Sequence, residues 1–145
     1  MLRKGGLRLI DLIELLYRQH KQLRHVAETM WNENSKLHLT SSEWYVLKNI
    51  SVGRSTVPEL MLQLDITKQG VHKFLISLEE KQLITTELVR VKKVQKKANL
   101  TAQGMDILAK SKRIELDVEK TVRQTIGDEK YNQLLTILQN PLVKY

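Results

Sequence analysis

The sequence predicts a mainly α fold carrying one small β-hairpin, and three observations point there. Apolar residues recur at three- and four-residue steps along most of the 145-residue chain, the spacing of a buried helix face. Good N-cap residues stand where these runs begin: Thr40, Thr56, Thr67 and Thr101. Only the stretch from Leu83 to Leu100 breaks the pattern, with two β-rich runs around a basic segment.

In chain order, a long helix is expected from about Leu7 to Asn32. Leu9, Leu12, Ile13, Leu16, Tyr17, His20, Leu23, Ala27 and Met30 make its near-heptad stripe. A helix of about 25 residues is too long for a small domain to cover alone, so it should pack on another helix pair or another subunit. Asn32 to Leu39 reads as a loop. Thr40-Ser-Ser-Glu43 is a capping box, opening a helix from Glu43 to about Ser51 that turns Trp44, Val46, Leu47 and Ile50 inward. Gly53 breaks it. Thr56-Val-Pro-Glu59 is a second capping box, with Pro58 in the first turn where its missing N–H is not needed. That short helix, near 57–64, ends at Asp65-Ile66. Thr67 then caps a helix near 67–81, whose Val71, Phe74, Leu75 and Leu78 share one face. Two helices joined by a tight turn form a helix-turn-helix unit.

The β-rich runs follow directly. Between them, Arg90 to Lys97 holds five bases in eight residues and no acid, and is read as the basic tip of the hairpin. Such a cluster repels itself unless something negative pairs with it. Thr101 caps a helix running to about Ile126, with Ile107, Leu108, Ile114, Val118, Val122 and Ile126 as its stripe. Gly127-Asp-Glu opens a last helix, roughly 128–140, carrying Tyr131, Leu134, Leu135 and Leu138. Pro141 ends it. The tail Leu142, Val143 and Tyr145 is apolar and should dock on something.

Charge distribution sharpens the picture. The chain is net +8. Residues 66–101 carry 8 bases and 3 acids, net +5, whereas residues 1–65 are net +2 and residues 102–145 net +1. The excess therefore lies on one helix and its hairpin, which favours an anionic partner. On the helix, Lys68, Gln69, His72 and Lys73 face away from the apolar stripe, and Gly70 leaves its backbone accessible. A short, polar, positive helix start of this kind suits a DNA major groove, and a basic hairpin behind it suits a wing.

Other chemistries find little support. Without cysteine there is no disulfide, thiol nucleophile or thiolate metal site, and a reducing cytoplasm fits. No apolar run approaches the roughly 20 residues of a membrane span, and the N-terminus does not read as a signal peptide. His20 and His25 are five residues apart, about 140° around a helix, so they cannot share a metal. No metal site or other cofactor is expected. No phosphate loop, nucleophile elbow or paired-carboxylate setting appears, so the chain does not read as an enzyme.

In order and spacing the chain resembles the MarR (multiple-antibiotic-resistance regulator) family of winged helix-turn-helix regulators. The similarity rests on the long first helix, Leu39-Thr40 opening the second, Ile66-Thr67-Lys68-Gln69-Gly70-Val71-His72-Lys73 at the recognition helix, Leu83-Ile84 entering the wing and Leu100-Thr101-x-x-Gly104 leaving it. The resemblance implies a single domain over 1–145. Residues 35–101 would be the winged helix-turn-helix DNA-binding lobe; the N- and C-terminal helices, 7–32 and 102–145, would be the dimerisation lobe. It further implies a homodimer on a pseudo-palindromic duplex, recognition helices in major grooves, wings at minor grooves, and release by a small aromatic or anionic effector. The sequence departs from the family pattern at three places. Lys92-Lys93 stand where an acid and arginine are usual in the wing. Gln82 replaces a glycine before Leu83, where the turn suits glycine. Gly70 replaces a hydroxyl residue.

Direct physics assigns phosphate contacts to Lys68, Lys73, Arg90, Lys92, Lys93, Lys96 and Lys97, with Thr67 and the N–H groups behind it as a further anion site. Gln69 is the best base reader, since its amide can pair bidentately with adenine, and His72 is second. Tyr17, His20, Trp31, Trp44 and Tyr45 are candidates to line an effector pocket, or equally to pack in the core and dimer contact. The chain thus reads as a sequence-specific, double-stranded-DNA-binding transcription regulator, a ligand-responsive cytoplasmic repressor. A winged-helix module that binds protein instead is the competing reading.

Overall fold

A computed structural model describes residues 11–144. Its elements run α1 (Leu12–Asn34), α2 (Ser41–Ser51), α3 (Val57–Leu64), α4 (Lys68–Glu80), β1 (Ile84–Arg90), β2 (Val94–Leu100), α5 (Ala102–Ile126) and α6 (Asp128–Leu138). Leu7, Leu9 and Tyr145 lie outside the described residues. The fold is mostly helical with one antiparallel hairpin, as the sequence predicts.

Local chemistry sets most helix starts. Asp11 accepts from the Glu14 N–H at 2.8 Å and caps α1. Both capping boxes form. The Thr40 hydroxyl accepts from the Glu43 N–H at 3.1 Å and Glu43 accepts back from the Thr40 N–H at 3.1 Å. Thr56 and Glu59 repeat the exchange, with Pro58 in the first turn. Because Thr40 is the cap itself, α2 starts at Ser41, two residues before the expected Glu43. Helix α1 continues to Asn34, into the segment expected as loop; the Asn34 amide donates to the Met30 carbonyl one turn back.

The core gathers where α2, α3, α4 and the hairpin base meet. Val46, Leu47, Leu60, Val71, Leu75, Leu78, Leu83 and Ile84 are each 2% exposed or less. Trp31 reaches this core from α1, and its indole N–H donates to the Leu37 carbonyl at 2.9 Å. Ile107 and Ile114 reach it from α5. At the far end of α5, the Arg123 guanidinium sits 4.6 Å over the ring of buried Tyr131, which fixes α6 against α5.

Among the described residues, Leu12, Ile13, Leu16 and Leu23 on α1, Leu134, Ile137 and Leu138 on α6, and Leu142 and Val143 in the tail are exposed. Leu142 and Val143 therefore do not bury themselves against the described residues.

Candidate nucleic-acid interface

The turn between α3 and α4 is built on Asp65, which takes a left-handed conformation (φ 52°) and donates its N–H to the Met61 carbonyl. The chain reverses within three residues, and Thr67 caps α4 by accepting from the Gly70 N–H at 3.1 Å. Val71, Leu75 and Leu78 are buried and Phe74 is half-buried. That orientation leaves Thr67, Lys68, Gln69 and Lys73 exposed, with Gly70 and His72 half-buried beside them.

The far end of α4 is tied down by a polar clamp. Glu43, 5% exposed, accepts from the Ser77 hydroxyl at 2.8 Å and from the Lys81 ammonium at 2.8 Å. Lys81 also donates to the His38 carbonyl at 2.8 Å. Burial pushes the Glu43 pKa up. Hydrogen bonds from Lys81, Thr40 and Ser77, with the Lys81 charge, outweigh it and leave the carboxyl below its ordinary range. One carboxylate thus caps α2 and anchors α4.

The hairpin pairs Ile84 with Leu100 through to Arg90 with Val94. Its turn is only Val91-Lys92-Lys93. The expected eight-residue basic tip is therefore shorter: Arg90 ends β1, while Gln95, Lys96 and Lys97 belong to β2. Arg90, Lys92 and Lys93 are exposed, and Lys96 is half-buried opposite Leu88. Lys97 stands apart from the tip. It is half-buried opposite Glu87, its backbone bridges to Thr56, and its charge helps hold the Glu59 carboxyl below its usual range after the larger effect of the Thr56 hydroxyl. At the base, Ala98 donates its N–H to the Ser55 carbonyl at 2.9 Å.

Two backbone details root the wing. Gln82 adopts φ 62°, the left-handed conformation that glycine takes without cost. Gly104, in the first turn of α5, lies directly against the Leu83 carbonyl, and a β-carbon there would overlap that oxygen. The Leu83 carbonyl accepts from the Thr101 N–H at 3.1 Å, and the Thr101 hydroxyl donates to the Gln82 carbonyl at 2.7 Å.

Among the described residues, four ion pairs form: Arg18–Glu14, Lys48–Glu115, Lys81–Glu43 and Lys110–Asp106. None uses Lys68, Lys73, Arg90, Lys92, Lys93, Lys96 or Lys97. The seven cations expected from sequence are thus on α4 and the hairpin, with no carboxylate of the described residues within pairing distance.

A cleft of 770 Å³ opens between α1, α2 and α5. It brings together His20, Trp44 and Tyr45 with Arg24, and is crossed at its rim by the Lys48–Glu115 ion pair at 2.6 Å. The Trp44 indole N–H is buried there without a hydrogen-bond partner among the described residues. Tyr17 is exposed on α1 outside the cleft, and Trp31 lines a separate recess with Ile107 and Ile114. The five aromatic and histidine candidates therefore do not form one site. Arg24, Lys48 and Glu115 carry no sequence signal for this cleft, because nothing local marks residues 67 positions apart as partners.

No group of three or more potential metal ligands gathers among the described residues, and no helix there is long and apolar enough to cross a membrane.

The architecture is that of the MarR-family winged-helix regulators. The apo form of MarR from E. coli superposes with a TM-score of 0.79 at 16% identity, over 94% of this chain and 100% of that one. MepR from S. aureus, solved as a complex with DNA, matches at TM-score 0.71 and 19% identity over 90% and 95% of the two chains. BpsR from Bordetella bronchiseptica, whose DNA binding is regulated by 6-hydroxynicotinic acid, matches at TM-score 0.73 and 12% identity over 93% and 96%. No family model matches the sequence, and no curated protein matches it.

Proposed function

We propose that the chain is a homodimeric, sequence-specific double-stranded-DNA-binding transcription regulator, a cytoplasmic repressor of the MarR type. The observation that carries this reading is the placement of seven cations on α4 and the wing, none of them ion-paired with a carboxylate of the described residues. Lys68 and Lys73 flank the exposed start of α4, where Thr67 and the first N–H groups add an anion site. Gln69 and His72 read base edges in the major groove. Arg90, Lys92, Lys93 and Lys96 contact phosphates beside the minor groove, and Lys97 reaches them from the wing base. MepR, of the same fold, is solved with DNA, which supports this arrangement.

Residues 35–101 form the DNA-binding lobe, and 7–32 with 102–145 the dimerisation lobe. The uncovered apolar residues of α1, α6 and the tail supply the subunit contact that pairs two recognition helices. The cleft beside Trp44 takes a small aromatic or anionic effector: Trp44 and Tyr45 offer aromatic faces and Arg24 positive charge. The ligand regulation of BpsR is consistent with such a site.

The test is retention of mixed-sequence duplexes across a salt series, read by fluorescence anisotropy. Binding should fall with log salt at a slope of about 0.9 per phosphate neutralised. A protein that retains no duplex at low salt is not a DNA-binding regulator, and the module that binds protein would replace it.

A further inference from the structure

Exposed aliphatic side chains concentrate at the end of the wing. Leu88 is 70% exposed, Val91 65% and Val94 60%. Register groups Leu88 with Val94, and Val91 lies in the turn between the two strands. Leu88 pairs with Lys96 and Arg90 with Val94, and alternate residues of a strand share a face. Leu88, Arg90, Val94 and Lys96 therefore lie on the same face of the ribbon as Ile84 and Ala98, which are buried at its base. The apolar face that starts in the core continues outward past the body of the protein. No acid lies between Leu88 and Ala98 in sequence: Glu87 points to the opposite face across from Lys97, and Glu79 reaches only the inner edge of the patch, where it accepts from the Thr86 hydroxyl at 2.9 Å.

We infer that Leu88, Val91 and Val94 pack on the deoxyribose walls of a DNA minor groove and that this packing selects DNA over RNA. The inference rests on the DNA-binding reading above. The patch alternates apolar and cationic side chains, Leu88 opposite Lys96 and Val94 opposite Arg90, with Lys92 and Lys93 in the turn. Its complement is a surface with anionic edges and apolar walls. A B-DNA minor groove has that pattern, with phosphates along both lips and sugar C–H groups between. Its width of about 6 Å admits side chains from the hairpin's end but not the ribbon itself. In an RNA duplex the corresponding groove is wide and shallow and displays 2′-hydroxyls, which an aliphatic side chain would desolvate without replacing their hydrogen bonds. An anionic lipid surface shares the charge pattern. However, the exposed Gln69 beside the same lobe offers hydrogen-bonding groups that base edges match and acyl chains do not.

The experiment compares wild type with Leu88→Ser/Val94→Ser and Leu88→Lys/Val94→Lys. Probes are a DNA duplex, the RNA duplex of the same sequence, and vesicles of phosphatidylserine and phosphatidylcholine, each over a salt series. Both positions are exposed, so thermal melting should match wild type. The serine pair should lose roughly tenfold in DNA affinity at every salt concentration, with the salt slope unchanged, because the interaction removed is apolar. Its preference for DNA over RNA should fall by the same factor, with α4 keeping the remainder because an RNA major groove cannot be read by side chains. The lysine pair should also discriminate less, although it adds two cations. Wild-type DNA affinity in the serine pair, an equal loss on both duplexes, or a loss confined to vesicles would each overturn the inference while leaving the DNA-binding reading standing. Failure of the wild type to retain any duplex would overturn both.

Discussion

Gly104 presses its α-carbon against the carbonyl oxygen of Leu83, so the first turn of α5 and the entrance to the wing share a space that holds no side chain. Leu83 and Ile84 are 0% and 1% exposed, so neither partner can retreat without opening the core. Gly104→Ala should therefore destabilise the protein by about 2–4 kcal/mol, despite alanine's better helix propensity. Urea denaturation measures this. A gain in stability would mean that the two segments separate freely.

Gln82, one residue before Leu83, is in the reverse situation. It is exposed and its backbone is left-handed, a strain that glycine would not feel. Gln82→Gly removes the conformational cost at the expense of a more flexible unfolded chain, and the balance should be a gain of about 0.5–1 kcal/mol. The midpoint of thermal unfolding should rise by a few degrees, about 2–4 °C.

The pH dependence of stability should carry the signature of Glu43. Its folded pKa is lowered, so its contribution is complete above the unfolded glutamate value of about 4.3 and is lost as pH falls through the folded value. Glu43→Gln should flatten that acid limb and destabilise at neutral pH, since Lys81 then faces an uncharged partner. Denaturation midpoints of both proteins between about pH 2 and pH 7 check the sign.

These three sites show what the sequence makes legible. The capping boxes of Thr40–Glu43 and Thr56–Glu59 are local, with donor and acceptor three residues apart, so pattern alone places them. Gln82 is readable as a misfit because turn chemistry is also local. The second role of Glu43 is not, because Ser77 and Lys81 lie 34 and 38 positions away. The same holds for Gly104 against Leu83. The wing turn reads too wide from sequence because lysine is a poor strand former by propensity. Pairing with Leu88 and Glu87 overrides that at Lys96 and Lys97. Tyr17, Trp31 and Trp44 are all aromatic residues on helices, yet depth in the fold sends them to three different places.

Substitutions in the interface should separate affinity from selectivity. Lys92→Ala/Lys93→Ala should weaken every duplex alike and lower the salt slope by about 0.9 for each phosphate no longer neutralised. Gln69→Ala should change the ranking of sites, costing about 1–3 kcal/mol on the preferred one. Selection of bound fragments from random DNA, repeated with both variants, distinguishes the two. Equal enrichment by wild type and Gln69→Ala would remove Gln69 as a base reader.

The uncovered helices make a separate prediction. Ile13 on α1 is 79% exposed and Ile137 on α6 is 56% exposed. Ile13→Asp/Ile137→Asp should yield a monomer in sedimentation equilibrium. Duplex affinity should collapse with it, because the two half-sites are no longer bound together. A variant that stays dimeric would place the subunit contact elsewhere.

Helix α2 holds the Glu43 clamp at one end and, one turn and a half further on, the Lys48 side chain at the rim of the Trp44 cleft. An 11-residue helix is stiff, so these two ends cannot move independently. A molecule wedged beside the indole would tilt α2 as a lever. The carboxylate at its other end would then drag the rear of α4 through Ser77 and Lys81.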